Sequence, residues 1–232
     1  RHDNSGDAVT RAPRVRPSQT APSRRENAPG PIGGQLANIL DGLLVRFRFA
    51  SMVKRHDARW MLAIFSFING CLSIAIMATA ALVSGQPFIF PSLGPTAFLF
   101  FYAPLTPPAS PRNAFIGHLI GAAAGYISLA AFGLLHEGPA LTTGVTSGRV
   151  GAAALSLGLT SALMVLARAP HPPAGATTLI ISLGILRDLD QIAILMVAVV
   201  LLTIQAIVIN RLAGLPYPLW ETSPEPKAAD DG

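Results

Sequence analysis

The chain has 232 residues, of which 51% are hydrophobic and only 12% carry a charged side chain. Soluble domains contain about 25% charged residues, so this composition argues against a water-soluble globular protein. The net charge of +5 comes from residues before position 60, which favours basic flanks on a membrane protein over a nucleic-acid partner. The single cysteine, Cys71, excludes an intrachain disulfide and a cysteine metal site.

The N-terminal region has two parts. Residues 1–33 are rich in proline, arginine, serine and glycine and nearly free of apolar side chains, so they are predicted to be a disordered tail. Residues 34–58 place Leu36, Ile39 and Leu43 at helical spacing before a basic flank. This pattern predicts an amphipathic helix on the cytoplasmic membrane surface, with a plain extension of the first span as the alternative.

Residues 59–212 are predicted to form the transmembrane domain. Four stretches have the roughly 20 apolar residues that a crossing helix needs, at 60–83, 114–135, 150–167 and 191–211. Two shorter segments lie between them, and their helical parts, 92–103 and 173–186, would cover only about 18–21 Å. Residues 213–232 are polar and are predicted to be a second disordered tail.

The long and short segments alternate in the same order in both halves. Repeat 1 (60–135) and repeat 2 (148–211) each read as a span, a short broken helix and a span. The sequence therefore predicts an all-α membrane protein with about six transmembrane segments. If the short segments re-entered instead of crossing, Arg112, Arg168 and Arg187 would all lie outside, so the positive-inside rule favours six crossings with both termini cytoplasmic.

Each short segment opens with the same pattern, P-x-x-G-x-T, and the two copies begin 81 positions apart, at Pro91 and Pro172. Short, proline- and glycine-broken apolar segments at corresponding positions in two halves point to a solute site near the bilayer midplane.

The chemistry of these two helix starts indicates an anion. A helix begins with unpaired N–H groups and a positive dipole end, and Pro172 and Pro173 suit such a start. Ser92 is predicted to be the N-cap of the first short helix. Neither segment contains a carboxylate, which disfavours a cation. The backbone groups predicted to face the anion belong to Ser92, Leu93, Gly94, Ala174, Gly175 and Ala176.

Three side chains near these helix starts are further candidates for binding. Thr96 and Thr177 can offer hydroxyl groups, although threonine in a membrane helix often bonds its own backbone instead. His171 can donate to an anion or relay a proton, or it can simply cap the helix that follows.

Three more ionisable residues are predicted to gate the site or to supply charge. Arg112 and Arg168 can place positive charge at an entrance or extend to the lipid headgroups. His118 lies inside a predicted crossing, where an ionisable group is a functional candidate or a hydrogen-bond partner for a neighbouring helix.

Small residues also recur at intervals of four. Such ladders let membrane helices approach closely, so both are predicted to pack against neighbouring helices. The first consists of Gly117, Gly121 and Gly125, and the second of Ala154, Gly158 and Ala162.

Three motifs in this order resemble those of the HPP family of integral membrane proteins. Residues 170–177 resemble its signature, residues 91–97 its first motif, and residues 110–113 with Gly117 and His118 its middle motif. The resemblance covers about residues 55–212. It implies a multi-pass protein from a family linked to nitrite transport across plastid and bacterial membranes.

The leading hypothesis is a transporter or channel for a small monovalent anion, nitrite or nitrate, in a bacterial inner membrane, with a plastid envelope as the alternative. A structural or assembly subunit of a membrane complex is the second hypothesis. A membrane-embedded enzyme is the third, although His118, His136 and His171 lack the spacing of a metal site. No cofactor or metal is expected; the expected partners are the bilayer and the anion, and a homo-oligomer is compatible with the sequence.

Overall fold

The computed structural model describes residues 57–222, and every regular element in that range is helical. The four long helices are α1 (Ala58–Ser84), α3 (Pro111–Ala131), α5 (Ser147–Leu166) and α7 (Leu189–Leu212). The three shorter ones are α2 (Leu93–Tyr102), α4 (Ala140–Thr143) and α6 (Ala174–Ser182), and a single 3-10 turn spans Pro107–Ala109. The predicted tail 1–33 and nearly all of the predicted interfacial helix 34–58 lie outside the described residues.

The four long helices confirm the four predicted spans, because each is long and apolar enough to cross a membrane. The two short helices are also where the sequence predicted them. With 10 and 9 residues, α2 and α6 are about 15 and 14 Å long, roughly half the thickness of the hydrocarbon layer. The described chain is therefore an all-α, multi-pass membrane protein.

Three of the long helices begin with side-chain caps, and the first is Asp57, whose carboxylate accepts the N–H of Arg59 at 2.8 Å at the start of α1. The Ser110 hydroxyl accepts the N–H of Asn113 at 3.3 Å, and Pro111 fills the first position of α3, where no N–H is needed. The Thr146 hydroxyl accepts the N–H of Arg149 at 3.3 Å in the same way at the start of α5. These caps fix where α3 and α5 enter the apolar region.

Helix α3 is the central helix and packs against α5, α6 and α7. Its face toward α6 carries Gly117, Gly121 and Gly125. A Cβ added at Gly117 would lie 2.7 Å from the Cβ of His171, and one at Gly121 would lie 2.7 Å from the carbonyl oxygen of Ala174. The predicted packing role of this ladder is confirmed, since only glycine allows so close an approach.

The second small-residue ladder does not pack against any of the other described residues. All three of its members are exposed, and a Cβ added at Gly158 would meet nothing within 4 Å. Helix α5 packs through a neighbouring stripe instead. Several faces of α5 carry small residues, so sequence spacing alone does not identify the buried one. The buried stripe consists of Ala152, Ser156 and Thr160.

A buried arginine closes one end of the bundle. Arg149 is only 2% exposed, and its guanidinium donates to the carbonyls of Ser182 at 3.3 Å and Gly138 at 2.7 Å. Ser182 is the last residue of α6, where a positive charge is favourable beside the helix dipole. Gly184 makes room for it, since a Cβ there would lie 2.8 Å from two guanidinium nitrogens.

A second arginine holds the opposite end of α5. Arg112, at the start of α3, donates to the carbonyls of Arg168 at 3.1 Å and Ala167 at 3.3 Å. Its backbone N–H donates to Trp220 at 2.9 Å, and its side chain lies 3.8 Å from the Glu221 carboxylate. Arg112 therefore joins the end of α5 to the segment that follows α7.

Residues 213–222, here called the C-terminal strap, pack against the 3-10 turn. Tyr217 is fully buried and donates its hydroxyl to the carbonyl of Ala109, while Arg211 donates to the Tyr217 carbonyl at 3.0 Å. Burial raises the pKa of Tyr217 above its usual range, so the phenol keeps the proton that it donates. The prediction of disorder is wrong for the strap, and residues 223–232 lie outside the described range.

The contact between α3 and α6 gives a stability prediction. We expect Gly121→Ala to lower the free energy of unfolding by about 1–3 kcal/mol, because the new methyl group meets a backbone carbonyl that cannot move aside. Gly158→Ala is the matched control and should be neutral or stabilising, because its methyl group meets open space. Thermal unfolding of both variants in detergent measures this, and equal stabilities would contradict it.

Candidate functional site

The two repeated motifs meet at one histidine. Thr96 is the last motif residue in α2, and its hydroxyl lies 2.9 Å from Nε2 of His118 on α3. Thr177 is the last motif residue in α6, and its hydroxyl lies 2.7 Å from Nδ1 of the same ring. His118 therefore bridges equivalent positions of the two short helices.

A second histidine completes the group. Nδ1 of His171 lies 2.7 Å from the carbonyl oxygen of Pro108, and its Nε2 lies 3.3 Å from the Thr96 hydroxyl. The two imidazole rings are in contact, with centroids 4.9 Å apart. Thr96, His118, His171 and Thr177 are called the His–Thr cluster below.

The cluster is enclosed on all sides in this structure. Each of its four side chains has 0% exposure, so neither solvent nor lipid reaches it. The ring centroid of Phe100 lies 6.3 Å from that of His171 and 6.4 Å from that of Tyr217. Phe100 therefore links the cluster to the C-terminal strap. A ligand can reach this group only if the surrounding helices move.

The backbone N–H groups at the two helix starts are not free. The N–H of Leu93 donates to Phe90 at 2.9 Å, and that of Ala174 donates to His171 at 3.0 Å. The N–H of Gly175 donates to the carbonyl of Pro172, and that of Ala176 donates to the carbonyl of Pro173, each at 3.0 Å. The prediction of unpaired amides is wrong for these four residues.

The reason is local backbone geometry. Ser92 and Pro173 already have helical dihedral angles, so the turn before each helix supplies carbonyl acceptors to the first amides. Ser92 also makes no side-chain cap, and its buried hydroxyl has no hydrogen-bond partner. Its carbonyl instead accepts the Thr96 hydroxyl at 2.9 Å.

Other predicted site residues lie away from the cluster. Gly94 is exposed on the surface of α2, and Gly175 and Ala176 are half-buried on α6. Arg168 is exposed, with a left-handed φ of 50°, and its carbonyl accepts from Arg112. Leu93 and Ala174 are fully buried beside the helix starts.

Apart from the phenol of Tyr217, which keeps its proton, the buried ionisable groups are bases. Among residues 57–222 these bases are His118, His171 and Arg149. Every carboxylate in that range is exposed, namely Asp57, Glu137, Asp188, Asp190 and Glu221. The same range contains no group of three or more histidine, cysteine, aspartate or glutamate side chains that could hold a metal ion.

Sequence reasoning missed the acceptors that orient the cluster. The carbonyls of Pro108 and Ser92 fix one imidazole and one hydroxyl, yet a backbone carbonyl leaves no trace in a motif. Arg149, which is also buried, is not part of any motif that the sequence analysis singled out. Its position between two glycines, Gly148 and Gly151, in an apolar run was the available signal that it is buried.

Long apolar helices that enclose polar, ionisable side chains define a polytopic α-helical membrane protein with an internal polar site. Comparison with protein families matches residues 55–218 to the HPP transmembrane region. The chain therefore belongs to the HPP family of membrane proteins. No match was found among curated proteins or among solved structures.

The shared hydroxyl gives a prediction about the cluster. We expect Thr96→Val to lower the free energy of unfolding by about 1–3 kcal/mol, because it leaves buried imidazole nitrogens without a partner. Thr160→Val is the matched control: that hydroxyl is also buried but bonds only the Ser156 carbonyl, so its loss should cost at most about 1 kcal/mol. Thermal unfolding compares the two, and equal losses would mean that the contacts with the imidazoles add no stability.

Proposed function

We propose that this protein transports a small monovalent anion across the membrane, with nitrite as the first candidate and nitrate as the second. The His–Thr cluster is its binding station. Imidazole N–H and hydroxyl groups are neutral donors that can bind a planar oxyanion without holding it as tightly as a buried arginine would. No catalytic step is proposed for the site.

The observation that supports the proposal is that the buried histidines can carry only positive charge, while the carboxylates are exposed. In hydrocarbon a polar group is expensive to bury, so ionisable side chains inside a bundle mark substrate or proton paths by default. Here His118 and His171 are fully buried, while every carboxylate between residues 57 and 222 is exposed. A cation would find no counter-charge in this interior, whereas an anion would find donors.

Because the backbone amides are already paired, we expect side chains rather than the main chain to contact the anion. Two buried hydroxyls next to the cluster in sequence, those of Ser92 and Thr178, have no hydrogen-bond partner. A buried unpaired hydroxyl is costly, and an anion that accepted from it would relieve that cost. These two groups are the donors assigned to the bound anion, because the hydroxyls of Thr96 and Thr177 already bond the Ser92 carbonyl and His118.

Six crossings, in two repeats, are part of the same proposal. At one end of the bundle, Arg59 and Tyr102 line one cavity, and Arg112 donates to the Arg168 carbonyl. Near the other end, Arg149 donates to Ser182 at the end of α6. These contacts support α2 and α6 as half-length helices that carry the chain across together with the extended residues before them.

The distribution of charge supports an orientation. Arg59, Arg112, Arg168 and Arg211 belong to helix ends that would share one side under six crossings. The opposite end carries Arg149 and Arg187 together with three carboxylates. The positive-inside rule then assigns the first end, and both termini, to the cytoplasm of a bacterial inner membrane.

Uptake of labelled nitrite into proteoliposomes that contain only this protein tests the proposal. We expect uptake above that of empty vesicles, inhibition by excess nitrate and none by ammonium. His118→Gln should reduce uptake by at least about tenfold, since loss of one well-placed hydrogen bond to a charged group amounts to about 1.5–3 kcal/mol. The matched control is His136→Gln, because His136 is exposed in a loop and should be dispensable.

Protein that is folded, as judged by its thermal unfolding, yet gives the same flux as empty vesicles across a pH series would refute transport. Equal loss of uptake in both histidine variants would remove the His–Thr cluster from the pathway.

A further inference from the structure

The Pro108 carbonyl fixes the protonation of one ring nitrogen. A carbonyl oxygen can only accept, so Nδ1 of His171, at 2.7 Å from it, must carry a hydrogen. In the neutral ring, Nε2 is then a bare acceptor. In the charged ring, Nε2 carries a hydrogen too and becomes a donor. The two protonation states of His171 therefore differ only in whether Nε2 accepts or donates a hydrogen bond.

Thr96 is the group that must respond to that change. Its hydroxyl has one hydrogen and three neighbours within reach, namely the Ser92 carbonyl at 2.9 Å, Nε2 of His118 at 2.9 Å and Nε2 of His171 at 3.3 Å. The Ser92 carbonyl takes the hydroxyl hydrogen, so with neutral His171 the Nε2 atom receives no hydrogen from Thr96. With charged His171 the hydroxyl oxygen accepts the new N–H of the ring.

His118 can keep one tautomer in both states. It donates from Nε2 to the Thr96 oxygen and accepts the Thr177 hydroxyl at Nδ1, where the separation is 2.7 Å. The Thr96 oxygen can accept the additional N–H when His171 gains a proton, so the change requires no rearrangement of the helices.

No carboxylate faces the charged ring from any helix packed against it. The ionisable groups on those elements point elsewhere or are bases. On helix α3, His118 contacts the ring and Arg112 bonds carbonyls at the end of α5. On the strap, Tyr217 bonds the Ala109 carbonyl. Arg149 on α5 bonds the Ser182 carbonyl, and Arg168 is exposed. Helix α2 contacts the ring through Thr96 and Phe100, and neither of these side chains is ionisable.

A buried charge without a counter-charge is very costly, and the group neutralises instead. A monovalent anion in the cluster would supply the counter-charge that residues 57–222 do not place there. Proton and anion therefore stabilise each other, and each binds weakly without the other.

We propose that His171 binds one proton at Nε2 together with each anion, so that transport is proton-coupled and electroneutral. The inference rests on the proposed anion transport and adds its driving force. One proton enters and leaves with one anion, and the Thr96 hydroxyl oxygen accepts the N–H that the proton creates on His171.

The driving force is measured in proteoliposomes with labelled nitrate and labelled nitrite, and empty vesicles are subtracted. Nitrate is the stringent probe, because nitric acid is fully ionised and cannot carry protons through lipid by itself. With the potential clamped at zero, an inward proton gradient of one pH unit should concentrate the anion about tenfold, since a one-to-one step passes that ratio to the anion. An imposed potential without a pH gradient should concentrate nothing.

The outcomes separate the two proposals. Uptake that follows the potential and ignores the pH gradient would overturn coupling and leave anion transport standing. Absence of uptake of either anion above empty vesicles would overturn both.

Nitrogen NMR of protein with ¹⁵N-labelled histidine tests the role of His171 without transport, and His171→Asn assigns its signals. In nitrite, the ring should change from the Nδ1–H tautomer to the doubly protonated form as pH falls. Thr96→Val should lower the midpoint by about one pH unit, because it removes the acceptor of the new N–H, whereas Thr160→Val should not move it. A ring that stays neutral while the protein is folded, a midpoint independent of nitrite, or equal midpoints in the two variants would overturn the proposal.

Discussion

Among the described residues, the broken ends of α2, α5 and α6 find hydrogen-bond partners within the protein itself. In hydrocarbon no water is available for backbone groups that a broken helix leaves behind, so the fold must supply donors and acceptors. Arg149 and Arg112 donate to carbonyls at the ends of α6 and α5, and the turns before α2 and α6 accept the first amides of those helices. The broken segments are thus stable without a ligand, which explains why the amides expected to bind the anion are already engaged.

The same constraint explains the position of the polar cluster. Glycines at 117, 121 and 125 let α3 approach α6 until a methyl group no longer fits between them. That approach brings His118 within hydrogen-bond distance of Thr177 on α6 and Thr96 on α2. A ladder that resembles a generic packing motif therefore sets the distance on which the chemistry depends, and the cost of burying two imidazoles is offset because three of their four nitrogens have a partner within 3.0 Å.

An interior without a buried carboxylate, among the residues that the structure describes, has consequences for function. Within residues 57–222, negative charge is confined to exposed positions at the ends of the bundle. Under the proposed function, an anion in the cluster would be both the ligand and the counter-charge, which would connect selectivity with protonation of His171. Because the cluster is enclosed, a ligand reaches it only if the surrounding helices move.

The sequence by itself determined the four spans, the two short helices between them and the identity of the residues that meet, since hydropathy over 20 residues and a repeated six-residue pattern are local properties. It also singled out Thr96, Thr177, His118 and His171, because hydroxyl and imidazole groups are rare in apolar runs. Only the tertiary structure decided how they are joined, that the amides of Ala174 and Leu93 are paired, and that the glycines of α3 rather than those of α5 form the contact. These outcomes depend on backbone dihedral angles and on which helix faces meet, and both are settled by packing between segments far apart in the chain.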